Sequence, residues 1–130
     1  MPKVNIELPT GASSERIQEI SDAVHTAMER ALGTAPDDRF HLIQEYNPTH
    51  LLRNADGPAN GQGLFVTFYL AARPAETMQA LFDATVTELV QRAGFAPSGI
   101  NLLSVPVPAA NWWWDRKPSH TELTPAGEAL

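Results

Sequence analysis

The feature that most restricts this chain is an internal duplication. Gly33-Thr34-Ala35-Pro36 returns 61 residues later as Gly94-Phe95-Ala96-Pro97, and the same offset pairs Ile17 with Met78, Ile20 with Leu81 and Leu42 with Leu103. Two copies of one supersecondary unit are therefore expected. At 130 residues the chain is long enough for one core, so both copies should share it. The expected domain is residues 1–130, with half-repeats at about 2–48 and 64–108 and the loop 49–63 between them.

Each half reads as strand, helix, strand. Val4, Ile6 and Leu8 alternate with Asn5 and Glu7, the period of a strand with one face buried, and Pro9-Thr10-Gly11 ends it. Ser13 or Ser14 then serves as an N-cap for a helix whose apolar positions Ile17, Ile20, Val24, Met28 and Ala31 run to Gly33. Phe40 to Tyr46 is the second strand, closed by Asn47-Pro48. In the second half, Leu64 to Ala72 is a nearly unbroken apolar run, expected as a central strand buried on both faces. Met78, Leu81, Thr85, Leu89 and Ala93 repeat the helical spacing up to Gly94, and Ile100 to Val107 is the fourth strand. The stretch from Asn54 to Gly63, rich in Gly, Asn and Pro, reads as a long surface loop.

This order fixes an α/β (α+β) architecture: a four-stranded mixed sheet with two helices on one face. A crossover helix makes the two strands of each half parallel. A pseudo-twofold relation between halves then places the first and third strands side by side and antiparallel. The start of the first two strands and the end of the last two fall at one edge of the sheet. Pro2, Asp38, Arg73 and Trp112-Trp113-Trp114 all belong to that edge.

Composition removes several classes of function. The net charge of −6 lacks the basic footprint of a nucleic-acid binder and disfavours an anionic membrane surface. With no cysteine there is no disulfide framework, thiol nucleophile or Cys-based zinc site, and His25, His41, His50 and His120 show no metal-ligand spacing. No metal and no cofactor are expected. The N-terminus has no apolar targeting segment and no stretch reaches spanning length, so a cytoplasmic location is expected.

The edge residues carry the chemistry. Removal of Met1 would leave Pro2 with a secondary amine, a group tuned toward base by a dry pocket or a cation and toward acid by a carboxylate. A retained Met1 would make that nitrogen an amide, neither base nor nucleophile. Arg73 presents a planar fork suited to a carboxylate. Asp38, next to Pro2 in this topology, would hold an ammonium or orient water. Three successive tryptophans cannot all face one core, so at least one lines a pocket or a subunit contact. A passive strand start, a loop-capping guanidinium, a turn aspartate and an oligomer interface are the plain alternatives for these positions. His25, His41 and Glu45 are read as core-satisfied or solvated.

Met1-Pro2 running into a strand, Pro36-Asp37-Asp38-Arg39-Phe40, Asn47-Pro48-Thr49-His50, Ala72-Arg73-Pro74 and Gly94-Phe95-Ala96-Pro97-Ser98 together resemble the tautomerase superfamily, and within it the malonate semialdehyde decarboxylase branch. The resemblance extends over nearly the whole chain. It implies the tautomerase fold, a homotrimer and a small oxo-acid substrate. It implies a catalytic role for the Pro2 amine, assistance to that amine or to water by Asp38, carboxylate binding and carbonyl polarisation by Arg73, and an apolar wall from Trp112 and Trp114. Where the decarboxylase pattern continues Arg-Pro-Arg, this chain has Arg73-Pro74-Ala75. Keto-enol tautomerisation is the activity expected first, with decarboxylation or hydration, or a non-catalytic trimeric binding module, as alternatives.

Overall fold

The computed structural model describes residues 2–53 and 63–113. Strand β1 (Lys3–Pro9) leads to helix α1 (Ser14–Leu32), strand β2 (His41–Tyr46), strand β3 (Leu64–Leu70), helix α2 (Ala75–Ala93) and strand β4 (Ile100–Pro106). The sheet order is β2-β1-β3-β4, parallel within each half and antiparallel where β1 meets β3. Lys3 lies opposite Tyr69 and Val4 opposite both Phe68 and His41. The mixed sheet expected from the duplication is the one observed.

Local chemistry explains both helices. Ser13 is the N-cap of α1, its side chain accepting from the Arg16 N–H, and Gly33 ends the helix at φ 71°. Helix α2 ends in the same way on Gly94 at φ 73°, but it begins after Pro74 with no side-chain cap. In each copy the Gly N–H and the next N–H return to carbonyls of the last turn, which satisfies groups a helix end leaves open. Arg16 ties the two helices together, donating to the Ala93 carbonyl and lying 4.7 Å from the Phe95 ring centroid.

The core lies between the helices and one face of the sheet. Val4, Ile6 and Leu8 of β1 and Leu64, Val66, Phe68 and Leu70 of β3 point inward against Ile20, Val24 and Met28 of α1 and Leu81 and Leu89 of α2. The strand alternation also refines the repeat. Val66 stands to Leu102 as Val4 stands to His41, so the first strands correspond at 62 residues while the helices and second strands correspond at 61. A strict 61 throughout would turn every side chain of β3 to the wrong face.

Strand β3 differs from expectation in two ways. It ends at Leu70 rather than Ala72, where the Leu70 carbonyl still accepts from the Val107 N–H at 2.7 Å and the chain then leaves the ladder ahead of Arg73-Pro74. Nor is it buried on both faces: on the uncovered face Thr67 is buried but Phe65 is 40% exposed, and Leu42 of β2 and Leu103 of β4 on that face are 45% and 46% exposed. The uncovered face carries these apolar side chains among polar ones. There the Tyr46 hydroxyl donates to Glu7 at 2.5 Å, which raises the phenol above its ordinary value, and the Lys3 ammonium sits 4.5 Å from the Tyr69 ring centroid. Among the described residues, no helix is long and apolar enough to cross a membrane.

Candidate functional site

Four chain segments meet at the edge where β1 and β2 begin and β3 and β4 end. Pro2 is buried and immediately precedes β1, so the extended register continues it toward Leu70 on one side and Arg39 on the other. The Val4 N–H donates to the Phe40 carbonyl at 2.9 Å, which fixes the chain just after Pro2 against the chain just after Asp38.

Asp38 sits in the turn between α1 and β2, its N–H bonded to the Ala35 carbonyl at 3.0 Å. The turn role read from sequence is therefore real. Its half-buried carboxylate makes no hydrogen bond or ion pair among the described residues. A carboxylate held in place without a cation of its own is available to a neighbouring ammonium or water.

Arg73 follows β3 by three residues and opens onto the same edge. Its side chain is partly buried, its Nε has no hydrogen-bond partner among the described residues, and burial lowers the guanidinium from its ordinary value without removing its charge. A desolvated, unpartnered fork favours a planar anion. Helix α2 starts two residues later, and its uncapped first-turn N–H groups add a positive potential at that edge. Ala75 is the first residue of this helix.

After β4 the chain turns through a short 3-10 segment, Ala109–Asn111, and the Trp112 N–H closes it on the Ala109 carbonyl at 3.1 Å. Trp112 is half-buried and Trp113 is 86% exposed. Met1 and Trp114 lie outside the described residues. The edge thus gathers Pro2, Asp38, Arg73 and the approach to Trp112 on strand ends and turns, while the apolar crevice lined by Ile6, Leu8, Ile17, Ile20 and Ile43 lies under the far half of β1.

The residues set aside in the sequence have a less bland environment than expected. His25 is buried, and neither ring nitrogen makes a hydrogen bond among the described residues; Nε2 lies 3.8 Å from the Glu29 carboxylate. His41 packs edge-on to it at 5.9 Å between centroids and shares a 2.7 Å hydrogen bond with the Ser21 hydroxyl. Burial first, then Arg39 and His25, push the His41 imidazole down to about 4. Ser21, Asp22 and Arg39 complete this cluster. Sequence reasoning passed over it because its members are brought together from separate elements; the Arg39 in the Asp38 motif was the one available signal. Glu45 is exposed, as expected.

Comparison with known proteins follows the fold. No curated protein matches the sequence. Malonate semialdehyde decarboxylase superimposes with a TM-score of 0.80 at 20% identity, covering 89% of this chain and 92% of its own. The FG41 malonate semialdehyde decarboxylase inhibited by 3-bromopropiolate gives 0.75 at 24% identity, covering 93% and 94%. A fused 4-OT described as an asymmetric trimer gives 0.75 at 16% identity, covering 88% and 94%. Residues 2–59, which include Pro2, Asp38 and the whole first βαβ unit, match the family described as Tautomerase enzyme. That match spans 58 of the 130 residues, essentially the first half-repeat, and the likeness in fold to these solved structures extends over both halves.

Proposed function

We propose that this protein catalyses keto-enol tautomerisation of a small oxo acid, with the Pro2 amine as general acid and base once Met1 is removed. The observation that carries the proposal is the half-buried Arg73 guanidinium, without a partner among the described residues, at the edge where buried Pro2 leads into β1. Arg73 binds the substrate carboxylate through two parallel N–H bonds and draws electron density from the adjacent carbonyl. In the enol-to-keto direction the protonated amine delivers its proton to carbon, and the enol O–H proton leaves to water or returns to the amine. Asp38 stabilises the ammonium form, and Trp112 supplies an apolar wall that keeps the proton exchange away from bulk water.

A homotrimer belongs to the same proposal. Leu42, Phe65 and Leu103 give the uncovered sheet face an apolar content that a second copy would bury, and the fused 4-OT relatives are described as trimers. Decarboxylation or hydration is the second reading, favoured by the structural likeness to the two decarboxylases and by the Asp38 carboxylate, unpaired among the described residues. The deciding experiment supplies protein whose first residue is verified by mass as Pro2. Loss of enol absorbance from a 2-oxo acid is followed alongside carbon dioxide release from a 3-oxo acid. Enol loss faster than in buffer, abolished by Pro2→Ala, is expected; an unchanged rate in Pro2→Ala would overturn the proposal.

A further inference from the structure

The turn that carries Asp38 is pinned on both sides, and one of the pins comes from the middle of α1. On the near side, the Phe40 carbonyl accepts from Val4. On the far side, the Arg39 guanidinium donates through the same Nη1 to the Asp22 carboxylate at 2.7 Å and to the Ser21 hydroxyl at 3.2 Å. That hydroxyl is also 2.7 Å from Nδ1 of His41, the first residue of β2. Ser21 is buried, with 8% of its surface exposed, and so is a fixed hub rather than a surface contact.

Three groups converge on one hydroxyl. Ser21 Oγ accepts from Arg39 and keeps its own proton and a second lone pair for the 2.7 Å contact with His41 Nδ1, which accepts or donates according to the tautomer of the neutral ring. A charged His41 would put a second cation beside the Arg39 guanidinium. Burial, Arg39 and His25 favour the neutral ring and outweigh the opposing pull of Asp22, and the Arg39 hydrogen bond holds the Asp22 carboxyl below its ordinary value. Near neutral pH the ring is therefore neutral and the Asp22 carboxylate ionised, as their contacts with Arg39 require.

We propose that Ser21, Asp22 and His41, acting through Arg39, are positioning residues that hold the Asp38 turn against the Pro2 edge. The inference rests on the proposed pairing of Asp38 with the Pro2 amine. A loop aspartate with no partner among the described residues would otherwise sample many orientations, and a carboxylate that wanders loses its effect on a neighbouring amine with distance. The network replaces that freedom with a fixed approach set by α1.

The test reads the Pro2 amine directly. In protein labelled with nitrogen-15 at proline and verified by mass to begin at Pro2, the protonation constant of the amine is measured by NMR titration. Four proteins are compared: wild type, Asp38→Asn, Ser21→Ala and the double variant. Loss of the Asp38 charge should lower the constant roughly tenfold. Ser21→Ala changes no charge, yet it should lower the constant in the same direction, by about threefold, and by nothing further in the Asp38→Asn background. Should Ser21→Ala not fold, as judged by circular dichroism, Asp22→Asn at the more exposed end of the network takes its place in the same cycle. If Asp38→Asn lowers the constant and the network variant either does nothing or acts equally in both backgrounds, the positioning role is wrong. If Asp38→Asn itself has no effect, the pairing of Asp38 with Pro2 fails, and the positioning role falls with it.

Discussion

At the scale of single residues, Arg73 and Ala75 make opposite predictions. Arg73→Gln removes the charge and the fork but keeps a polar side chain of similar reach. Loss of a charge-assisted bidentate pair costs about 2–3 kcal/mol. The expected outcome is a KM for the oxo acid raised by well over tenfold with a smaller change in kcat, measured in the enol assay. Ala75 begins α2 two positions after Arg73 and is exposed, so Ala75→Arg adds a second cation at the same helix start without displacing core. It should raise carbon dioxide release from a 3-oxo acid relative to tautomerisation, because orienting a scissile carboxylate while polarising a carbonyl is served by two cations. Efficient release by wild type would remove that argument. Arg73 and Asp38 stand out in the sequence as candidates because each sits near a proline-marked boundary. Ser21 was not: a serine inside an amphipathic helix looks like any other, and its significance comes from Arg39, 18 positions along the chain.

At the scale of elements, the two helix ends offer a controlled comparison. Gly33 and Gly94 both occupy the left-handed region, and a Cβ at either would meet no atom within 4 Å. Alanine at each should cost only the backbone penalty, about 1–2 kcal/mol, and the two losses measured by urea unfolding should agree. The seam between α1 and β2 is different, since its cost depends on pH. His41 is lowered in the folded protein from 6.5 to about 4, so the unfolded chain takes up its proton first as pH falls. Stability from this group is complete above pH 6.5, declines below it and is lost once pH passes about 4, a total of about 3 kcal/mol. Wild type should therefore lose more stability than His41→Gln between pH 6.5 and 4 in thermal melts at fixed ionic strength. The elements themselves were readable from capping serine, stopping glycines and alternation. The face exposure of β3 was not, because an unbroken apolar run has the same appearance whether helices or another copy cover its second face.

At the scale of the whole molecule, the sheet order follows from the duplication once a pseudo-twofold axis relates its halves, while the one-residue difference between the first-strand and second-strand offsets has no marker in the sequence. The uncovered face supplies the last assembly test: Leu103→Glu should shift sedimentation to a smaller species while the isolated fold keeps its circular dichroism, because Leu103 lies outside the helix-covered core. The place of β1 has another consequence. Its partner β3 lies more than fifty residues further along the chain, with Lys3 opposite Tyr69, so the central seam closes a very long loop. A chain emerging from the ribosome finishes β1, α1 and β2 while one full edge of β1 still has no strand to bond. Contacts of such long sequence separation slow folding, and the wait leaves a hydrophobic strand edge open to other nascent chains. This protein should therefore refold slowly for its size, and its yield on refolding should fall as concentration rises.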